Sequence, residues 1–171
     1  DDQKLAYETA VNLTSGIATG KKQTLLIYGG PGTGKSVLAI NMLVEFINRG
    51  FVTHYVSKNA APRAVYKAKL TGTLTQSRIS NLFKGSGAYF DCASDSIDIL
   101  VVDEAHRLNA KSGLYSNLGE NQIKEIIDVA KLSIFFIDED QRVTFKDIGH
   151  ADEIRNWALQ LGSKIQELSL Q

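Results

Sequence analysis

Short apolar runs that alternate with helix-periodic stretches predict an α/β domain, a mostly parallel sheet with helices on both faces. Two further observations point the same way. A glycine-rich turn, Gly29 to Ser36, leads from an apolar run into a helical pattern, and carboxylates close two of the later runs, at Asp103-Glu104 and Asp138-Glu139-Asp140. The 171 residues suit one domain with a real core, spanning 1–171, and neither an internal repeat nor a linker divides them.

Taken in order, the strands are expected at Thr24–Tyr28, Phe51–Ser57, Ile97–Val102, Leu132–Ile137 and Lys164–Leu170. Each is a short, mostly apolar run, as strands buried in a parallel sheet should be. Ser36 to Arg49 is apolar almost all round, which predicts a deeply buried helix that Gly50 terminates. Pro62 suits the first turn of a helix running to about Leu70. Thr71 to Ala93, punctuated by Gly72, Gly85 and Gly87, has the poorest pattern. Ile123, Ile126, Ile127 and Ala130 recur at helical spacing, as do Ile154, Trp157, Ala158 and Leu161, so two amphipathic helices should lay apolar stripes on the sheet.

Composition narrows the function classes. The longest apolar runs, Ile97–Val102 and Leu132–Ile137, fall far short of a membrane span. The chain starts Asp1-Asp2-Gln3 without a basic-then-apolar leader, and its single cysteine, Cys92, excludes an internal disulfide. A soluble, cytoplasmic protein is expected, with Cys92 a semi-buried thiol. The net charge of zero conceals segregation. Phe46 to Phe90 holds seven basic residues (Arg49, Lys58, Arg63, Lys67, Lys69, Arg78, Lys84) and no acid, whereas Asp91 to Glu153 holds fourteen acids against six bases. Such a split suits an anionic partner on the basic side, although two solvated faces would carry the same bias. His54, His106 and His150 have no metal-ligand spacing. Phe83, Tyr89 and Phe90 could stack bases, but packing in the core is the commoner use of such residues.

Gly29-Gly30-Pro31-Gly32-Thr33-Gly34-Lys35-Ser36 fits the phosphate-loop pattern G-x4-G-K-[ST] between an expected strand and an expected helix. Glycines let successive backbone N–H groups turn toward phosphate oxygens, and the helix N-terminus adds positive potential. Lys35 would reach the β- and γ-phosphates, and the Ser36 hydroxyl would ligate Mg²⁺. Asp103 and Glu104 end a buried run at the edge where doubly wound sheets bind ligands. Asp103 would hold Mg²⁺ through water, and Glu104 would polarise the attacking water. No Asn-Lys-x-Asp motif for guanine occurs, so adenine is favoured and Mg·ATP is the expected ligand.

Ile137-Asp138-Glu139-Asp140-Gln141-Arg142 resembles motif III (G-D-x-x-Q) of the first RecA-like domain of superfamily 1 helicases, with Ile137 in place of glycine. That resemblance implies that Gln141 contacts the γ-phosphate, with Arg142 directly beside it. Gln3-Lys4-Leu5-Ala6 looks like the family's Q motif, which implies that Gln3 recognises adenine. Val56-Ser57-Lys58-Asn59-Ala60-Ala61 looks like motif Ia, which grips single-stranded nucleic acid. It opens the acid-free stretch, so Lys58, Asn59, Arg63 and Lys67 become candidate nucleic-acid contacts. Asp103-Glu104-Ala105-His106 also spells the signature of DEAH helicases of superfamily 2, but no Ser-Ala-Thr motif accompanies it.

The segments 59–65, 97–107 and 136–143 look most like bacterial uncharacterised ATPases related to the Schlafen helicase-like domain, and the resemblance covers nearly the whole chain. It implies a RecA-like fold, ATP hydrolysis coupled to nucleic acid, and a second RecA-like domain C-terminal to this chain that completes the active site. Leu168-Ser169-Leu170-Gln171 is similar to the lead-in to that domain's motif IV. The stretch from Leu70 to Ile97 is too short for the helical subdomain that many relatives insert, which makes unwinding less secure than ATP turnover. A nucleotide-dependent switch acting on a protein partner is the alternative, and a nucleic-acid-binding module with a vestigial nucleotide site is the third reading.

Overall fold

The computed structural model describes residues 1–30, 32–57, 68, 70–72, 82–105, 108, 118–138 and 151–170. In chain order these form α1 (Asp2–Leu13), β1 (Gln23–Tyr28), α2 (Lys35–Asn48), β2 (Thr53–Val56), β3 (Phe83–Lys84), β4 (Ile97–Val102), α3 (Gln122–Val129), β5 (Ala130–Ile137), α4 (Ala151–Gln160) and β6 (Lys164–Ser169). Among the described residues the six strands make one sheet in the order β3-β2-β4-β5-β1-β6, and every pairing is parallel. Buried apolar side chains from both faces form two clusters. Leu25, Ile27, Ile99, Val101, Ile134 and Phe136 pack with α1 and α2 on one side. Leu26, Leu100, Val102, Phe135 and Ile137 pack with α3 and α4 on the other. Alternate residues of each strand thus feed alternate faces, and the expected α/β architecture is the one observed.

Local chemistry explains where the helices stop. Phe51 N–H donates to Phe46 O (3.1 Å) and Gly50 N–H to Ile47 O (3.0 Å), with Gly50 at φ 89°, so α2 closes in the left-handed cap that its glycine promised. Gly162 (φ 72°) does the same for α4 through Ser163 N–H to Ala158 O (2.8 Å). Asn121 caps α3 by accepting from Ile123 N–H (3.0 Å) and Lys124 N–H (3.2 Å), and Glu125 reaches back to Asn121 N–H (2.9 Å).

Four expectations need correction. Ala130 belongs to β5 and not to the preceding helix, because Lys22 ends α3 one residue earlier. Its ammonium donates to the carbonyls of Ile127 (2.7 Å), Asp128 (2.9 Å) and Ala130 (2.9 Å) and pairs with Asp95 (2.6 Å). Helix α2 buries only its Leu38, Ala39, Met42, Leu43 and Phe46 face, and Val37 on its first turn is 52% exposed. Cys92 is exposed and not semi-buried; its thiol is nonetheless pushed up by partial burial and by Asp91. The poorly patterned stretch contains β3, too short to register as a run of its own. Of its three aromatics, Phe83 and Tyr89 are buried and Phe90 is exposed. Most of the helix expected from Pro62 lies outside the described residues, although Ala68 and Leu70 are helical. No helix of the described residues is long and apolar enough to cross a membrane.

Candidate functional site

Because all six strands run the same way, their C-terminal ends share one edge. Register places Tyr28 of β1 beside Ile137 of β5, and Phe135 beside Val102 of β4. The three segments that follow, Gly29–Ser36, Asp103-Glu104 and Asp138, therefore emerge side by side, with β5 between the other two strands. This is the crevice in which open α/β sheets bind their ligands.

The loop is built by its glycines. Gly29 N–H donates to Ile137 O (3.1 Å), and a Cβ at Gly29 would stand 2.6 Å from Thr33 Oγ1. Thr33 Oγ1 in turn donates to Gly30 O (2.8 Å), closing the turn on itself. Gly34 (φ 81°) is the N-cap of α2 and, being glycine, brings no side chain to cap its N–H groups. An α-helix leaves its first N–H groups without intrahelical acceptors, so this end is suited to an anion. Gln3 Nε2 donates to Thr33 O (2.8 Å), and a Cβ at Gly34 would come within 2.1 Å of that same nitrogen. The side chain expected to read adenine here braces the backbone of the loop.

Lys35 lies folded against the loop. Its ammonium donates to Gly29 O (2.5 Å) and Gly30 O (3.3 Å) and stands 3.6 Å from Asp138 Oδ2. Ser36, the next residue, is exposed. Asp103 is anchored through both carboxylate oxygens: Oδ1 accepts from Glu104 N–H (2.9 Å) and Oδ2 from the Tyr55 hydroxyl (2.5 Å). Its own N–H donates to Val56 O (2.9 Å), continuing the β2–β4 ladder past the strand end. Glu104 holds a left-handed backbone, φ 50°. For a residue with a Cβ that conformation costs on the order of 1–3 kcal/mol, and such positions cluster at functional sites. The Ser36 hydroxyl and the Asp103 carboxylate are hard oxygen donors of the kind Mg²⁺ takes.

Of the residues singled out from sequence, Gln3, Gly29, Gly30, Gly32, Thr33, Gly34, Lys35, Ser36, Asp103 and Glu104 are described, and all except the Asp103-Glu104 pair belong to the loop or brace it. Pro31, Lys58, Asn59, Arg63, Lys67, Gln141 and Arg142 lie outside the described residues. Sequence reasoning assigned no role to Asp138 or Tyr55. Asp138 directly follows an apolar run, but only the strand order shows that it faces Lys35. Tyr55 sits in mid-strand and carries no local signal.

A parallel sheet in this order, with a glycine loop after β1 and an acidic pair after β4, defines a RecA-like phosphate-loop domain. The chain belongs to the Schlafen group 3 DNA/RNA helicase domain family, whose family profile matches residues 22–171. It is similar to the RecA protein of Bacteroides thetaiotaomicron, 27% identical over 119 residues, which cover 67% of this chain and 36% of that protein. The chain thus spans well under half the length of the curated relatives it matches. Two solved structures share the fold. Domain III of the Thermotoga maritima replication initiation protein DnaA gives a TM-score of 0.50 at 18% identity, over 100% of this chain and 63% of the other. The Pyrococcus furiosus Hef helicase domain gives 0.51 at 14% identity, over 98% and 37%.

Proposed function

We propose that this domain binds Mg·ATP and hydrolyses it as the N-terminal motor domain of a superfamily 1 helicase-like ATPase acting on single-stranded nucleic acid. The observation that carries the reading is the meeting, at one sheet edge, of a lysine-bearing phosphate loop with Asp103, Glu104 and Asp138. On this reading the loop N–H groups and Lys35 hold the β- and γ-phosphates, and Gln3 keeps the loop in shape. Ser36 and Asp103 hold Mg²⁺, which neutralises charge that develops on the phosphates. Glu104 takes the proton of the attacking water, Gln141 senses the γ-phosphate, and Arg142 lies next to it. A second RecA-like domain, C-terminal to this one, supplies the transition-state arginines, and the surface around Lys58, Asn59, Arg63 and Lys67 carries the nucleic acid. The protein works in the cytoplasm.

The test compares two preparations at saturating Mg·ATP, residues 1–171 alone and the protein extended through the next RecA-like domain. Without an arginine finger, rates in other phosphate-loop enzymes fall by about 10³–10⁵. Residues 1–171 should therefore bind nucleotide but release little phosphate. The extended protein should turn over, faster with single-stranded DNA or RNA, and charge reversal at Lys58, Arg63 and Lys67 should abolish that stimulation. Robust stimulated turnover by residues 1–171 alone refutes the two-domain reading, and no nucleotide binding by either refutes the function.

A further inference from the structure

From the neighbouring strand, the Tyr55 hydroxyl donates to Oδ2 of the Asp103 carboxylate at 2.5 Å. It gets there by register. Tyr55 pairs with Val101 in the β2–β4 ladder, so its hydroxyl reaches two residues along β4 to the carboxylate beyond the strand end. The ring is fully buried and packs edge-on to Phe83 with centroids 5.5 Å apart. A phenol on a packed ring has little rotational freedom, so the oxygen it donates to is held in place. With Oδ1 committed to Glu104 N–H at 2.9 Å, the plane of the carboxylate is set from both sides.

Each carboxylate oxygen has a second lone pair, and a water can donate to it. A carboxylate already donating part of its charge into a phenol O–H and an amide N–H is a poorer direct ligand but remains a good acceptor for metal-bound water. Mg²⁺ keeps several of its waters and dehydrates reluctantly. We propose that Tyr55 is a positioning residue that fixes Asp103 to take Mg²⁺ through its bound water, and so sets how much Mg²⁺ nucleotide binding needs. The inference rests on the proposed ATP site.

The experiment follows binding of a fluorescent ATP analogue, first without metal in EDTA and then through a Mg²⁺ titration. It uses wild type, Tyr55→Phe, Asp103→Asn and the double variant, and thermal melts check folding. Tyr55→Phe keeps the ring and its contact with Phe83. It should match wild type without metal but need about tenfold more Mg²⁺, the size expected for one hydrogen bond to a charged group. In the Asp103→Asn background, Tyr55→Phe should add little. Three results overturn the proposal: an unchanged Mg²⁺ requirement, a parallel loss of metal-free binding, or an equal effect with and without the Asp103 charge. A Tyr55→Phe chain that does not fold makes the hydroxyl a structural anchor and overturns it too. Wild type that binds no nucleotide removes the ATP site itself, whereas wild type with Mg²⁺-dependent binding indifferent to Tyr55→Phe removes only this inference.

Discussion

Replacing Lys35 by alanine should cost more than one phosphate contact, and the structure says by how much. Losing a charge-assisted hydrogen bond costs about 1.5–3 kcal/mol, roughly ten- to a hundredfold in affinity. Lys35 also screens Asp138, whose Oδ2 is 3.6 Å from the ammonium, with side chains only 17% and 10% exposed. A phosphate oxygen accepting from the same ammonium would lie about 6 Å from that carboxylate. At an effective dielectric of about 20, two like charges at such a distance repel by nearly 3 kcal/mol before screening and rearrangement reduce it. Lys35→Ala should therefore weaken Mg·ATP binding by roughly 10²–10³-fold. Adding Asp138→Asn should recover about tenfold, a coupling that calorimetry on the four proteins of the cycle measures directly. Equal affinities for wild type and Lys35→Ala would remove Lys35 from its role. A double variant no tighter than Lys35→Ala would show that Asp138 does not face the phosphates.

Three other outcomes follow. In the extended protein, Glu104→Gln should keep nucleotide affinity and slow phosphate release by about 10²-fold or more, and a normal rate would clear Glu104 of base duty. Lys22→Met keeps the apolar stem but strips the ammonium from three carbonyls at the end of α3. It should cost about 3 kcal/mol, a fall of roughly 6–12 °C in melting temperature, and an unchanged melt would make that cap idle. His54 is held down to about 4, first by burial and then by the positive charge of Lys84, and shares a hydrogen bond with Tyr89 (3.0 Å). The unfolded chain takes up this proton near pH 6.5 and the folded chain only near 4, so stability is full above the first value and is lost as pH falls toward the second. Melts across that window should be steeper in pH for wild type than for His54→Gln, and equal slopes would refute the linkage.

What could be read in advance was local, and what could not was set by strand order. β1, β4 and β5 announced themselves because strands buried on both faces carry nearly continuous apolar runs. The end of α2 was legible in Gly50, and the loop in its glycines and lysine. The contacts that shape the site join residues far apart: Tyr55 with Asp103, Lys35 with Asp138, Gln3 with Thr33. None has a spacing rule, since the first two depend on which strands are neighbours and the third on α1 packing beside α2. β5 separates β1 from β4 in the sheet, and nothing in the apolar runs encodes that. Ala130 was misplaced for the same reason, because helical spacing continues through it while a lysine over a hundred residues away ends the helix.

The same topology creates an electrostatic demand. Strand order brings Asp103, Glu104 and Asp138 to one edge, and the described phosphate loop offers one lysine in return. On the proposed reading a polyanionic nucleotide must settle among three carboxylates, two of them on a segment fixed by the Tyr55 contact and by the strained Glu104 backbone. Lys35 cannot offset all of them, since its ammonium already stands near Asp138 and the loop carbonyls. Among the described residues the helix N-terminus adds about half a unit of positive charge there, and a divalent cation would add more. On that reading the cation contributes to nucleotide affinity along with the loop. A side chain that fixes where Asp103 meets that cation governs binding without touching the nucleotide.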